Sequence, residues 1–466
     1  MFGTAVERVG GRSASEIDEM AGYHLEAAHR YRSELGIHDD EAAELASRAA
    51  DRLAAAGRRA FDLDDMPAAS SLLNRALRLL DDRDERRVEI LWRLGVALFE
   101  SGDLDRSEAA VVAGLEAAER EHNERFQWRL RLDEREIAFW RRPGSVDPED
   151  SLRLAREAVE AFRRLGDHSG IARAFRMIGD VLSQAGRYEE GAQAYRSGHE
   201  AAAIAGDERE LAERQALGVA LGPLPAGAGI ELMLPMFEHG RRTNPERGTQ
   251  LAYLYALVGR REEAHDLFDE GLGLAGELGN EWRSASIRTY YASALLLEGE
   301  PGSAETVVRP AVEALQRMGE KGMMSTAVGL LAQALSEQGK HDEAMFASLR
   351  SEEACAEDDV ASLLLWHGAR AKVLAARGEF AEAERLGRQG VAIAAGSDLL
   401  PLCAAMHRDL AAVLEASGNS REAAEEMGRA LRLFERKGAD VPALRTRREL
   451  DRLRRRTSSR APGGAA

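Results

Sequence analysis

Residues Val328 to Leu349 read VGLLAQALSEQGKHDEAMFASL, and this stretch decides the fold. Val328, Leu331, Ala332 and Leu335 recur at helical spacing and make one apolar face; Gly339 then breaks the pattern, and Ala344 and Leu349 carry the apolar face of a second helix. The glycine predicts a helix end, because it adopts the left-handed conformation without a Cβ clash and lets the chain reverse within a few residues. Ala344 is expected where the second helix crosses the first, since a larger side chain would push the axes apart. Asp342 and Glu343 suit the first turn of that second helix, where carboxylates meet its positive end.

This stretch is one copy of many. Gly259, Gly299, Gly339, Gly378 and Gly418 recur at spacings of 40, 40, 39 and 40, and each is followed five residues later by Ala264, Ala304, Ala344, Ala383 or Ala423. A fixed period of this length means one helix pair stacked repeatedly. Earlier units keep the pattern with drift. One runs through Leu94, Gly95, Leu98, Gly102 and Leu104, another through Phe175, Ile178, Gly179, Leu182, Gly186, Tyr188 and Tyr195, and a first unit through Leu53, Gly57, Ala69, Leu73 and Ala76. Between Gly102 and Gly186 lies a degraded unit, with a helix near His122 to Trp140 and a longer turn through Pro143, Gly144 and Pro148. A further unit holds Leu217, Gly218 and Leu221, then a Gly/Pro-rich turn from Gly222 to Gly229, then Leu234 and Phe237.

Composition agrees. Aromatic residues are only 5% and charged residues 31%, a balance of long helices and not of sheet. The expected architecture is an all-α solenoid, a right-handed superhelix of about ten antiparallel helix pairs. A helical cap is expected over residues 1–41, the N-terminal half of the repeats over 42–222, the C-terminal half over 223–438, and a capping helix with a basic, disordered tail over 439–466. The formal charge of -17 argues against a sequence-independent grip on nucleic acid by the body of the chain. Cys355 and Cys403, both within helical patterns, make no disulfide framework and suit a reducing cytoplasm. No apolar stretch approaches a spanning helix, so no membrane contact is expected.

These units resemble the tetratricopeptide repeat family. Those around Gly179, Gly95 and Gly57 keep a large residue, a small residue four positions later and small residues in the second helix. They depart from it in the longer period and in Ala292, Ala332, Ala371 and Ala411, which replace the first-helix glycine in later units. The segments Gly22 to Ala28, Asp359 to Ser362, Ala371 to Leu374 and Phe434 to Gly438 are similar to the C-terminal repeat region of actinobacterial-type multidomain regulators, in which a nucleotide cyclase and an ATPase module precede a helical array. The resemblance covers roughly residues 16 to 455 and only that family's last module, and the stretch before Gly22 looks like the end of a preceding one. It implies either a stand-alone sensor array or the regulatory C-terminal fragment of an ATPase or adenylate cyclase-type regulator whose catalytic modules lie upstream. No G-x-x-x-x-G-K-[ST] loop occurs, and Gly339-Lys340-His341 lacks its spacing and hydroxyl, so neither activity is carried over.

Chemistry is not signalled elsewhere. The eleven histidines are scattered, no H-E-x-x-H or C-x-x-C gathers metal ligands, and neither metal nor cofactor is expected. His341 stands where Tyr188 and Phe380 follow other turn glycines, which reads as packing. Glu189 and Glu190, Glu262 and Glu263, and Glu425 and Glu426 read as solvated helix-start carboxylates. The terminal helix carries eight arginines, from Arg445 to Arg460, against Glu449 and Asp451, a local charge of +6. It reads as a polar cap with Leu444, Leu450 and Leu453 packed on the last repeat, or as a contact for an acidic partner or nucleic acid.

What remains is the inner surface lined by the first helix of each pair. Aligning the units puts Arg173, Arg176, Asp180, Tyr253, Gln333, Ser336, Lys372 and Arg408 at inward, non-core positions. Such a groove suits a protein, an extended peptide or a small effector, with carboxylates held by charge-assisted contacts. The function expected is therefore that of a non-enzymatic binding scaffold or sensor in a signalling or regulatory system.

Overall fold

The computed structural model describes residues 14–63, 65–207, 215–240 and 247–460. The stretch from Met1 to Arg12 and the tail from Ala461 to Ala466, expected as a module end and a disordered terminus, lie outside them. The described residues form helices and no strands. After α1 (Ala14–Glu34), the helices pair as α2 (Asp40–Asp62) with α3 (Met66–Leu77), α4 (Arg86–Glu100) with α5 (Leu104–Arg120), α6 (Glu124–Arg141) with α7 (Pro148–Leu165), and α8 (His168–Gln184) with α9 (Tyr188–Ala205). Then come α10 (Gln215–Leu221) with α11 (Ala226–Gly240), α12 (Arg247–Leu257) with α13 (Arg261–Glu277), and α14 (Glu281–Glu298) with α15 (Pro301–Met318). The series ends with α16 (Gly322–Glu337) and α17 (His341–Ala354), α18 (Val360–Ala376) and α19 (Phe380–Ala395), α20 (Leu400–Ala416) and α21 (Ser420–Lys437), and the single helix α22 (Asp440–Arg460). This is the all-α solenoid of stacked helix pairs that the glycine spacing implies.

The turn glycines do what their spacing requires. Gly259, Gly299, Gly339, Gly378 and Gly418 have φ of 85°, 87°, 75°, 82° and 89°, a region that a side chain strains. Ala264, Ala304, Ala344, Ala383 and Ala423 are all fully buried at the crossing that follows. Leu349 departs from the expected pattern and is exposed, because the buried face of α17 runs through Ala344, Ala347, Ser348 and Ser351. The two serines are satisfied by backbone, Ser348 donating to the Met345 carbonyl and Ser351 to that of Ser325. Tyr188 is buried after its turn glycine, but Phe380 is exposed, so the aromatic position is not a uniform packing site.

The chain divides into two compact units, one of Met1–Ile137 with Arg164–Asp167 and Glu277–Glu281, the other of Ala138–Arg163, His168–Gly276 and Trp282–Ala466. In the first, Phe61, Trp92 and Phe126 form a chain of tilted rings, 6.0 and 5.7 Å between centroids. Arg129 lies 4.6 Å over Trp92 and is held there by Asp167 at 2.7 Å.

The second unit closes on itself. The turn before α9 meets the loop between α19 and α20: the Asp398 carboxylate accepts the backbone N–H groups of Tyr188 at 2.6 Å and Glu189 at 2.8 Å, and Ser397 Oγ donates to the Gly186 carbonyl at 3.0 Å. Further on, Lys437 at the end of α21 donates to the carbonyls that end α10, and Arg445 of α22 reaches the Leu296 carbonyl at 3.4 Å. These contacts join residues more than 140 positions apart, as the axial contacts of a superhelical turn must.

Asp398 caps a helix whose own N-cap, Arg187, makes no side-chain cap bond. Asp398→Ala is expected to lower the unfolding free energy by about 1 kcal/mol, the usual cost of losing a cap. Chemical denaturation measures it, and the loss should be matched by faster amide exchange at Tyr188 and Glu189.

Candidate ligand-binding cavity

The inner faces of α8, α12, α14, α16 and α18 line an open-mouthed cavity of about 220 Å³ within the second unit. Its walls are aromatic. Trp140 and Trp282 meet edge to face at 6.5 Å between centroids, and Tyr253 and Tyr290 at 6.2 Å. Between them lie hydroxyls and amides, among them Ser183, Gln250, Ser286, Thr289 and Thr326, and two carboxylates, Asp180 and Asp359. Among the described lining residues there is no Lys, Arg or His.

Each carboxylate has a local reason for its place. Asp180 accepts from Tyr195 Oη at 2.8 Å. Asp359 is the N-cap of α18, taking the Ser362 N–H at 3.1 Å and Ser325 Oγ at 2.9 Å. Burial raises the Asp359 pKa above the ordinary aspartate value, against the pull of Ser362 and Ser325. Tyr253 is fully buried, and its hydroxyl has the Ser293 hydroxyl beside it but no hydrogen-bond partner.

One end of the interior is closed by charge. A small void of about 40 Å³, sharing Ser293, Leu330, Leu365 and Leu402 with the cavity, is also lined by Gln333, Arg408 and Asp409. There Lys372 Nζ contacts Asp409 at 2.8 Å and Gln333 Oε1 at 2.6 Å, while Gln333 Nε2 donates to Asp409 at 2.9 Å. Arg408 lies 3.5 Å from Glu449 of α22.

The eight residues aligned as inward therefore fall into different settings. Asp180 and Tyr253 line the cavity; Gln333 and Arg408 line the smaller void, with Lys372 bonded to Gln333; Arg173, Arg176 and Ser336 are buried on α8 and α16. None is solvated helix surface. Asp359, Trp282 and Tyr290 carry the cavity with them and were not among the aligned positions.

No family model matches this chain. No curated protein matches it either. Among solved structures, yeast Tom70 is similar at 12% identity, with 95% of this chain and 98% of that one covered and a TM-score of 0.34. A Rap protein complexed with Competence and Sporulation Factor is similar at 13% identity, with 80% and 99% covered and a TM-score of 0.43.

Other candidate chemistry has structural explanations. Among the described residues, no group of three His, Cys, Asp or Glu is arranged to hold a metal, and no helix is long and apolar enough to cross a membrane. Burial raises the pKa of both thiols, Cys355 and Cys403. Glu426, expected to be solvated, is buried, where it accepts from His407 Nδ1 at 2.6 Å and pairs with Arg429. In α22, Leu450 and Leu453 pack on the last repeat but Leu444 is exposed. Arg452 and Arg456 both pair with Glu415, at 2.7 and 2.6 Å, so part of the basic charge is spent holding the cap.

Glu320 stands at the cavity's edge, two residues before the lining Gly322, and is fully buried. It accepts the Met323 N–H at 3.0 Å and the Met324 N–H at 3.3 Å, and burial nevertheless pushes its pKa up to about 7. The folded protein then holds a proton that the unfolded chain, at 4.5, has released. Stability from this group is full below pH 4.5 and lost as pH rises through 7. Glu320→Gln is expected to flatten that window by roughly 3 kcal/mol relative to the parent, measured as denaturation midpoints from pH 4 to 8.

Proposed function

We propose that the chain is a non-enzymatic sensor or scaffold module of a signalling or regulatory system in the cytoplasm, which binds its ligand inside the helical array. The ligand is a peptide segment of a protein partner or a small effector. The observation that supports this is the cavity, an aromatic and hydroxyl-rich pocket framed by five helices of a unit that closes on itself. Pockets of this kind, mostly apolar with a few placed polar groups, are where ligands are held. Because each framing helix belongs to a different repeat, a ligand bridging them changes how the repeats stack, and this alters the array's curvature.

The reading is tested by dialysing the full chain against the small-molecule and peptide fraction of a cell extract, then recording native mass and small-angle scattering. A retained adduct and a change in radius of gyration are expected, and both should vanish in Ser293→Trp, which fills the cavity. An unladen mass with unchanged dimensions overturns it.

A further inference from the structure

Asp359 brings a buried carboxylate to the cavity. It is buried, accepts the Ser362 N–H and the Ser325 and Ser362 hydroxyls, and among the described residues no basic group pairs with it. Asp358, Glu320, Cys355 and Tyr188 lie close enough to interact with it, and none of these is a cation. A buried carboxylate without a counter-charge is costly unless a partner supplies one. The same cavity is lined by the ring pairs Trp140–Trp282 and Tyr253–Tyr290, and aromatic faces favour positive charge. The Tyr253 hydroxyl, fully buried and unbonded, adds an unfilled polar position in the same space. The volume of about 220 Å³ suits a molecule of one or two rings.

We infer that the cavity takes a small organic cation, a primary ammonium or guanidinium on an aromatic or aliphatic body, with its charge at Asp359 and its body between the two ring pairs. This rests on the proposal that the interior of the second unit is the recognition site. The ammonium donates to Asp359 and to the hydroxyls around it, while the ring faces replace the water that a cation loses on entering. An anion would meet the Asp359 carboxylate, and a neutral polyol leaves Asp359 without a counter-charge.

Calorimetric titration of the full chain with tryptamine and phenethylamine tests this, beside phenethyl alcohol and phenylacetate of matching shape and maltose as a neutral polyol. The amines should bind, the alcohol at least tenfold more weakly and phenylacetate not at all. Asp359→Asn keeps a good helix cap, so the fold is retained, and it should weaken the amines by roughly 10- to 100-fold without changing the alcohol. Tyr253→Phe, which removes only the unbonded hydroxyl, should preserve the fold and weaken the amines by a smaller factor. If amine and alcohol bind alike, if maltose is preferred, or if Asp359→Asn leaves amine binding unchanged, the cation assignment is overturned. The extract experiment separates the two levels: a neutral or anionic adduct lost in Ser293→Trp sinks the cation and keeps the cavity as the site, whereas no adduct sinks both.

Discussion

Lys437→Met is expected to lower the unfolding free energy by about 4 kcal/mol, because three backbone carbonyls lose the amine that they share. Lys437 is fully buried at the end of α21, and its Nζ donates to Val219 at 3.0 Å, Gly222 at 2.8 Å and Leu224 at 2.8 Å. An ammonium has three donors and no acceptor, and here each donor meets a carbonyl at or just beyond the C-terminus of α10, where the helix dipole also favours a cation. Methionine fills much the same volume and offers none of these bonds, so the cost of a buried, unpaired carbonyl is incurred up to three times. Burial pushes the Lys437 pKa down to about 7, below the ordinary 10.5. The unfolded chain therefore binds more protons between those values, and stability rises with pH across the window and falls as pH drops through 7. Above pH 7 the neutral amine keeps two N–H donors for the three carbonyls, so the full three-bond clasp is read at or below pH 7. Guanidinium denaturation at several pH values measures this, and a loss under 1 kcal/mol at all of them would mean that the clasp does not hold the unit closed.

That clasp also shows where sequence reasoning stops. A glycine every 40 residues with an alanine five positions later reports local geometry, a positive φ and a small residue at a crossing, and the structure has both at every one of the five units. A second series was present and went unread: Gly166, Gly206, Gly279 and Gly319 end the second helix of their pairs with φ between 64° and 68°. Gly166 and Gly206, and again Gly279 and Gly319, are 40 apart, so the same test would have found them.

The cavity was legible only in part. Period fixes which side of a helix faces inward, and so it found Asp180 and Tyr253. It says nothing of what another repeat brings against that side. Asp398 on Tyr188 and Lys437 on Val219 are separated by 210 and 218 residues, and no spacing within a repeat encodes such a pair. With the closure invisible, Arg408 and Lys372 read as groove residues for an acidic partner, whereas the fold supplies them with Glu449 and Asp409. Asp359 was visible in the sequence only as part of a similar segment, because a helix cap and a cavity carboxylate look alike until the facing helices are in place.

Gly368→Ala should be as damaging as the loss of Lys437, about 4 kcal/mol, although propensity alone argues for a gain of about 1 kcal/mol from alanine inside a helix. Gly368 lies in the middle of α18 and is buried against the charged network at the closed end of the interior. A Cβ there would collide with the Asp409 carboxylate and lie 2.7 Å from Gln333 Nε2. Neither group has room to retreat without leaving the other: Asp409 is bonded to Lys372 and Gln333, and Gln333 also donates to the Leu365 carbonyl at 2.9 Å. Pushing Asp409 aside leaves Lys372 with a lengthened or broken pair in a half-buried site, and breaking such a pair costs more than the pair itself contributes. Overpacking adds its own cost of about 1–3 kcal/mol. The double variant Gly368→Ala with Asp409→Ala separates the two effects, since Asp409→Ala removes the group with which the new methyl collides. Its loss should be well below the sum of the single losses, with a coupling of at least 1 kcal/mol. Additive losses, or a stabilised Gly368→Ala, would mean that the network tolerates a Cβ and that this glycine is not what admits Asp409 to the interior.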